Sequence, residues 1–99
     1  MSTGEWIAED VPWYLIDKDA ERPWRDEDMA MSATQRLAVR DTELHAREAL
    51  SNHLMSISRY GHVIRGGESE TYEQAAVLVL RPGYGGIRIH GRYYRVRKA

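Results

Sequence analysis

On either side of His90-Gly91 the side chains from Ile87 to Arg97 repeat with a period of two. That period fits a β-hairpin and no helix. With His90-Gly91 as a two-residue turn, Ile89 opposes Arg92, Arg88 opposes Tyr93 and Ile87 opposes Tyr94. Cross-strand partners share a face, so Ile87, Ile89, Tyr94 and Val96 fall on one side and Arg88, Tyr93, Arg95 and Arg97 on the other. A slip of one residue would undo this sorting.

The second constraint is a long stretch free of breakers. Ser32-Ala33-Thr34-Gln35 matches the S-x-x-Q capping box, no Pro or Gly follows as far as Tyr60, and Gly61 is placed to end a helix. The expected helix runs from about Ser32 to Tyr60. Its apolar positions form two stripes on nearly opposite sides: Ala30, Ala33, Leu37 and Leu44, then Val39, Ala46, Ala49, Leu50, Leu54 and Ile57. Either it breaks near Asp41, with Asp41 or Thr42 as a second cap, or its halves have different partners. Ala46, Leu50, His53 and Ile57 make the better core face, leaving Leu37 and Leu44 for another contact.

The remaining segments are shorter. His62 to Arg65 reads as a short strand ended by Gly66-Gly67, and Val11 to Ile16 as an edge strand, because Pro12 cannot donate to a ladder. Ala75 to Arg81 reads as a strand on its β-branched run, with a helix from about residue 70 as the alternative. The expected fold is α+β, one long helix packed on a small, mainly antiparallel sheet that ends in a C-terminal β-hairpin, with an extended N-terminal arm wrapped outside. The expected division is an acidic, Trp-bearing arm over residues 1–28 and a single α+β domain over residues 29–99, long enough to bury its own core.

Charge is divided between the ends. From Gln74 onward the chain carries Arg81, Arg88, Arg92, Arg95, Arg97 and Lys98 and no carboxylate, whereas Glu5, Glu9, Asp10, Asp17, Asp19, Glu21, Asp26, Glu27 and Asp28 crowd the start. Such ends attract one another or complementary partners. The acidic start also holds Trp6, Trp13, Tyr14 and Trp24, rings that dominate docking surfaces when they seat in pockets. The expected function is therefore a non-enzymatic protein–protein interaction or assembly module, in which Trp6, Trp13, Tyr14, Trp24, Leu37 and Leu44 contact another protein or a second subunit. The alternative is nucleic-acid binding by Arg88, Arg92, Tyr93, Arg95, Arg97 and Lys98, where guanidinium groups meet phosphate and tyrosine stacks on bases. The overall charge of −1 weighs against that alternative.

Enzymatic chemistry finds little support. Cysteine is absent, Ser51, Ser56, Ser58 and Ser69 lack a G-x-S-x-G setting, and the glycine-rich stretches lack the Lys and Ser/Thr of a phosphate loop. His45 and Glu48 stand three apart on the helix, but no H-E-x-x-H accompanies them. No enzyme activity, cofactor, metal or small-molecule substrate is expected. The start has neither a basic stretch nor an apolar core of a secretory leader, and the apolar run Ala75 to Leu80 is too short to span a bilayer, so the expected location is cytoplasmic, with no membrane partner.

Overall fold

A computed structural model of the chain describes residues 5–17, 19 and 33–99. Four strands form one antiparallel sheet: β1 (Trp6–Pro12), β2 (Gln35–Arg40), β3 (Ile87–Ile89) and β4 (Arg92–Lys98), in the spatial order β2-β1-β4-β3. Helical turn α1 (Trp13–Ile16) follows β1. Helix α2 (Glu43–Ser56) runs through a π-helical turn (Ile57–Gly61) into α3 (His62–Arg65), and α4 (Ser69–Leu78) returns beside it. The α+β class, the antiparallel sheet and a long helix are as expected.

The hairpin register is also as expected, with Ile87 opposite Tyr94, Arg88 opposite Tyr93 and Ile89 opposite Arg92. At the turn His90 takes a φ of 55°, a left-handed conformation histidine tolerates better than most residues. The core lies between one sheet face and the helices. Ala8, Ala38, Ile89, Tyr94 and Val96 meet Ala46, Leu50, Leu54 and Ile57 from α2 and its π-turn and Tyr72, Ala75, Ala76 and Val79 from the α4 region. The stripe Ala46, Leu50 and Ile57 thus packs as its spacing indicates, with Leu54 joining it.

Four local expectations are corrected. The segment that opens the expected helix is β2, and Gln35, the fourth residue of the supposed capping box, begins that strand. The helix starts at Glu43, where the Thr42 side chain accepts from the His45 N–H at 3.1 Å. Of the two alternatives for the change of stripe, the structure has the one with Thr42 as a cap, though what precedes it is a strand and not a first helical half. Gln, Arg, Leu and Ala favour helix on their own, but pairing with β1 supplies a ladder and burial that outweigh a propensity difference of a few tenths of a kcal/mol per residue. β2 accommodates one extra residue, Leu37, between the pairs Ala8–Ala38 and Glu9–Arg36, a bulge that turns Leu37 partly toward the core.

The other three concern element type. His62–Arg65 is helical, because Gly61 is absorbed in the π-turn and the chain stops instead at Gly66, which has a φ of 86°. Ser69–Leu78 is helix α4, the alternative reading, with Tyr72, Ala75 and Ala76 buried at helical spacing. The start of the chain is no wrapped arm over residues 6–12: β1 is an inner strand, flanked on both sides. The expected strand Val11 to Ile16 is its last two residues followed by α1. Pro12 fits because the Trp13 N–H points to the β4 side, donating to Gly91 O at 2.9 Å. The Pro12 nitrogen therefore points the other way, where pairing with β2 has already ended at Asp10.

Helices α2 and α4 are bolted together by polar groups at their contact. Ser51 Oγ donates to Ala76 O at 2.7 Å, and Ser58 Oγ donates to Ser69 O at 2.9 Å. The buried guanidinium of Arg47 donates to Glu43 Oε2, Val79 O and Tyr84 O, fixing the chain beyond α4 to the first turns of α2. The Gly83 N–H joins Arg47 on the Glu43 carboxylate, and the two hold its pKa below the ordinary range.

Candidate interaction surfaces

Two of the acids at the start, Glu9 and Asp10, meet bases from the other end inside this molecule. β1 and β4 lie antiparallel with Glu9 opposite Arg95 and Asp10 opposite Tyr94. Glu9 is buried on the sheet face away from the helices, and its Oε1 accepts from Arg95 Nε and Arg97 Nε, each at 2.8 Å. Burial raises its pKa, but the two guanidinium hydrogen bonds outweigh this and leave it below the ordinary value.

Asp10 is fully buried on the helix face. Its Oδ1 accepts from Arg92 Nε at 2.7 Å and its Oδ2 from Arg65 Nη1 at 2.9 Å, so one carboxylate ties the inner strand to the hairpin and to α3. Arg65 also donates to the Tyr94 hydroxyl at 3.3 Å. Burial, reinforced by the Asp10 charge, pushes Tyr94 up to about 12. Burial opposes the charge on Arg65, yet its bond to Asp10 raises its pKa on balance. His53, with its ring 6.2 Å from that of Tyr94, is lowered by burial and by the Arg65 charge, against a smaller opposing pull from Asp10. A carboxylate saturated by two guanidiniums in a packed interior is a structural tie.

The aromatic residues expected to dock are distributed along the sheet. Trp13 and Tyr93 are half-buried neighbours, ring centres 5.5 Å apart, with the Arg88 guanidinium 4.8 Å above Trp13. Trp6 packs against the core, and Lys98 Nζ lies 6.0 Å from its ring. Tyr14 is half-buried, and Trp24 lies outside the described residues. Leu37 is half-buried in the β2 bulge. Leu44 is exposed and lines, with Glu43, Arg47, Leu80 and Pro82, an open pocket of about 240 Å³. That is below the roughly 300–1,000 Å³ of small-molecule sites, and its one buried charge, Arg47, already has its partners.

The basic set is likewise divided. Arg88, Tyr93, Arg95 and Arg97 share the face away from the helices, as the hairpin alternation indicates, but Arg92 is buried against Asp10 on the other face. Arg95 and Arg97 share a carboxylate, which reduces what they offer to phosphate.

A surface that sequence reasoning missed lies on the helices. Tyr60, Val63 and Ile64 are 82%, 83% and 89% exposed, at i, i+3 and i+4, and so form one apolar ridge across the π-turn and α3. Exposed Arg59 adjoins it, and no acidic residue occurs from Ala49 to Gly67. The signal was present as three large apolar residues in five positions. It is hidden because Gly61 reads as a helix end, which puts Tyr60 and the other two in different elements.

Among the described residues no group of three His, Asp or Glu side chains is placed to hold a metal ion, and no helix is long and apolar enough to cross a membrane. Comparison with protein-family models, with curated proteins and with solved structures found no match to this chain.

Proposed function

We propose that the protein is a non-enzymatic interaction module that docks through the Tyr60–Val63–Ile64 ridge onto an apolar protein surface rimmed by carboxylates. The carrying observation is the ridge itself: three large apolar side chains within five positions of the π-turn and α3, each more than four-fifths exposed. Isolated exposed apolar residues are ordinary, but a contiguous patch of them marks an interaction site. The chemistry of the partner follows from the surroundings, since Arg59 stands beside the ridge in an acid-free stretch. Engagement of Glu9 and Asp10 within the chain shifts the docking role from the acidic start to the helices.

Nucleic-acid binding by Arg88, Tyr93, Arg95 and Arg97 is the competing reading. Its support is the shared face of those side chains, and its weakness is the Glu9 carboxylate on two of them. One set of measurements separates the two. The full chain and Val63→Ser/Ile64→Ser are compared for molar mass across concentration, for binding of an acidic amphipathic helical peptide, and for binding of a labelled single-stranded oligonucleotide at low and moderate salt. Docking by the ridge requires association or peptide binding that the double variant loses while remaining folded. Oligonucleotide affinity that falls steeply with salt and survives in the variant replaces this reading with the nucleic-acid one. Absence of peptide binding and of self-association in the full chain overturns the ridge.

A further inference from the structure

Resting on the ridge as the docking site, we infer that its occupant is a second copy of this chain, seated by the outward stripe of α4. That stripe carries Glu70, Glu73, Gln74 and Val77, all exposed and at i, i+3, i+4 and i+7. It has the chemistry the ridge selects: an apolar contact at Val77, which is 60% exposed, flanked by carboxylates. The complementary surfaces occupy neighbouring elements, since Ser58 in the π-turn and Ser69 at the start of α4 exchange hydrogen bonds.

Size argues the same way. Stable interfaces bury roughly 800 Å² on each partner, more than three side chains offer. A two-fold arrangement uses ridge and stripe twice each, ridge against stripe and stripe against ridge, and so doubles the contact without further surface. Charge sets the orientation. Exposed Arg59 meets Glu70 and Glu73 of the other copy, whereas ridge against ridge would bring Arg59 toward Arg59. Among the described residues Glu70 and Glu73 have no ion pair, unlike Glu9, Asp10 and Glu43.

The test is charge exchange on the full chain, read as molar mass by sedimentation equilibrium. The unaltered protein is expected to be a dimer. Arg59→Glu alone and Glu73→Arg alone each place like charges together at both contacts, weakening the dimer at least about tenfold. Mixing the two variants restores dimer, because the mixed pair has opposite charges at both contacts; the double variant restores it as well. Both substituted positions, Arg59 and Glu73, are exposed, so each variant remains folded, which circular dichroism checks. A full chain that stays monomeric while still binding the acidic peptide through the ridge overturns the second copy and leaves the docking site standing. A monomer that binds no peptide overturns both. A dimer indifferent to Arg59→Glu and Glu73→Arg overturns the ridge-to-stripe contact.

Discussion

Asp10 and Arg92, separated by 82 positions in the chain, meet at 2.7 Å on the helix face of the sheet. The strand that carries Asp10 is central, and the same carboxylate holds Arg65 at the end of the long helical run. Removing the carboxylate leaves two largely buried guanidiniums without their countercharge. Asp10→Ala is therefore expected to cost about 3–5 kcal/mol in urea unfolding, whereas removal of an exposed carboxylate away from any contact, Glu48→Ala, stays within about 0.5 kcal/mol. Equal losses from the two would remove Asp10 from its role as the tie between strand, hairpin and helix.

Glu9 is expected to govern acid stability. Its folded pKa is lowered, so the unfolded chain binds its proton first as pH falls, and the stabilisation is complete above the ordinary carboxylate value of about 4.3 and lost below it. Glu9→Gln replaces an ionised acceptor shared by Arg95 and Arg97, with an expected loss of about 1–3 kcal/mol at neutral pH. Urea titrations at a series of pH values should show the difference between variant and unaltered chain shrinking toward pH 3. A constant difference would contradict this account.

His53 acts in a separate window. Its lowered pKa means that it stays neutral in the fold while an unfolded histidine takes up a proton near pH 6.5. Stability is expected to decline as pH drops from about 7 to 5, in addition to the carboxylate effect at lower pH. The groups facing the ring are Arg65, Asp10 and Tyr94, of which the first disfavours a second positive charge. His53→Gln should flatten this segment of the stability profile, and NMR titration of the imidazole should place its midpoint below the ordinary histidine value of about 6.5.

Gly86 is expected to be irreplaceable. It holds a φ of 146°, and a Cβ there would lie 2.6 Å from the Tyr93 ring and 2.9 Å from the Tyr94 carbonyl oxygen, which is backbone and cannot step aside. Gly86→Ala should cost about 1–3 kcal/mol from backbone strain alone, and more with the collision. Gly85→Ala, one residue earlier with open space around it, should be nearly neutral. Thermal unfolding of the pair measures the contrast.

The parts of the fold legible in the sequence are those whose signal is local. The hairpin register and its two faces follow from alternation and turn length, because Ile87, Ile89, Tyr94 and Val96 have one buried side to find. The core face of α2 follows from Ala46, Leu50 and Ile57 at helical spacing. Strands β1 and β2 were not legible. Glu9 and Asp10 look like solvated residues in sequence, and their burial depends on guanidiniums from distant positions. Helix α4 was misread because Val77-Leu78-Val79-Leu80 suits a strand on its own, yet the segment packs Tyr72, Ala75 and Ala76 against α2 and leaves Val77 in water.

The sequence alone determined that acids gather at one end and bases at the other, and that the bases lie on a hairpin with two unlike faces. Only the tertiary structure decided that the opposites meet in the same molecule. Antiparallel pairing of β1 with β4 sets Glu9 across from Arg95 and Asp10 across from Tyr94, while the long side chains of Arg97, Arg92 and Arg65 reach the same two carboxylates. Charge attraction acts over distance without fixing a partner, whereas a strand register fixes which side chains share a face and so which carboxylate each guanidinium meets.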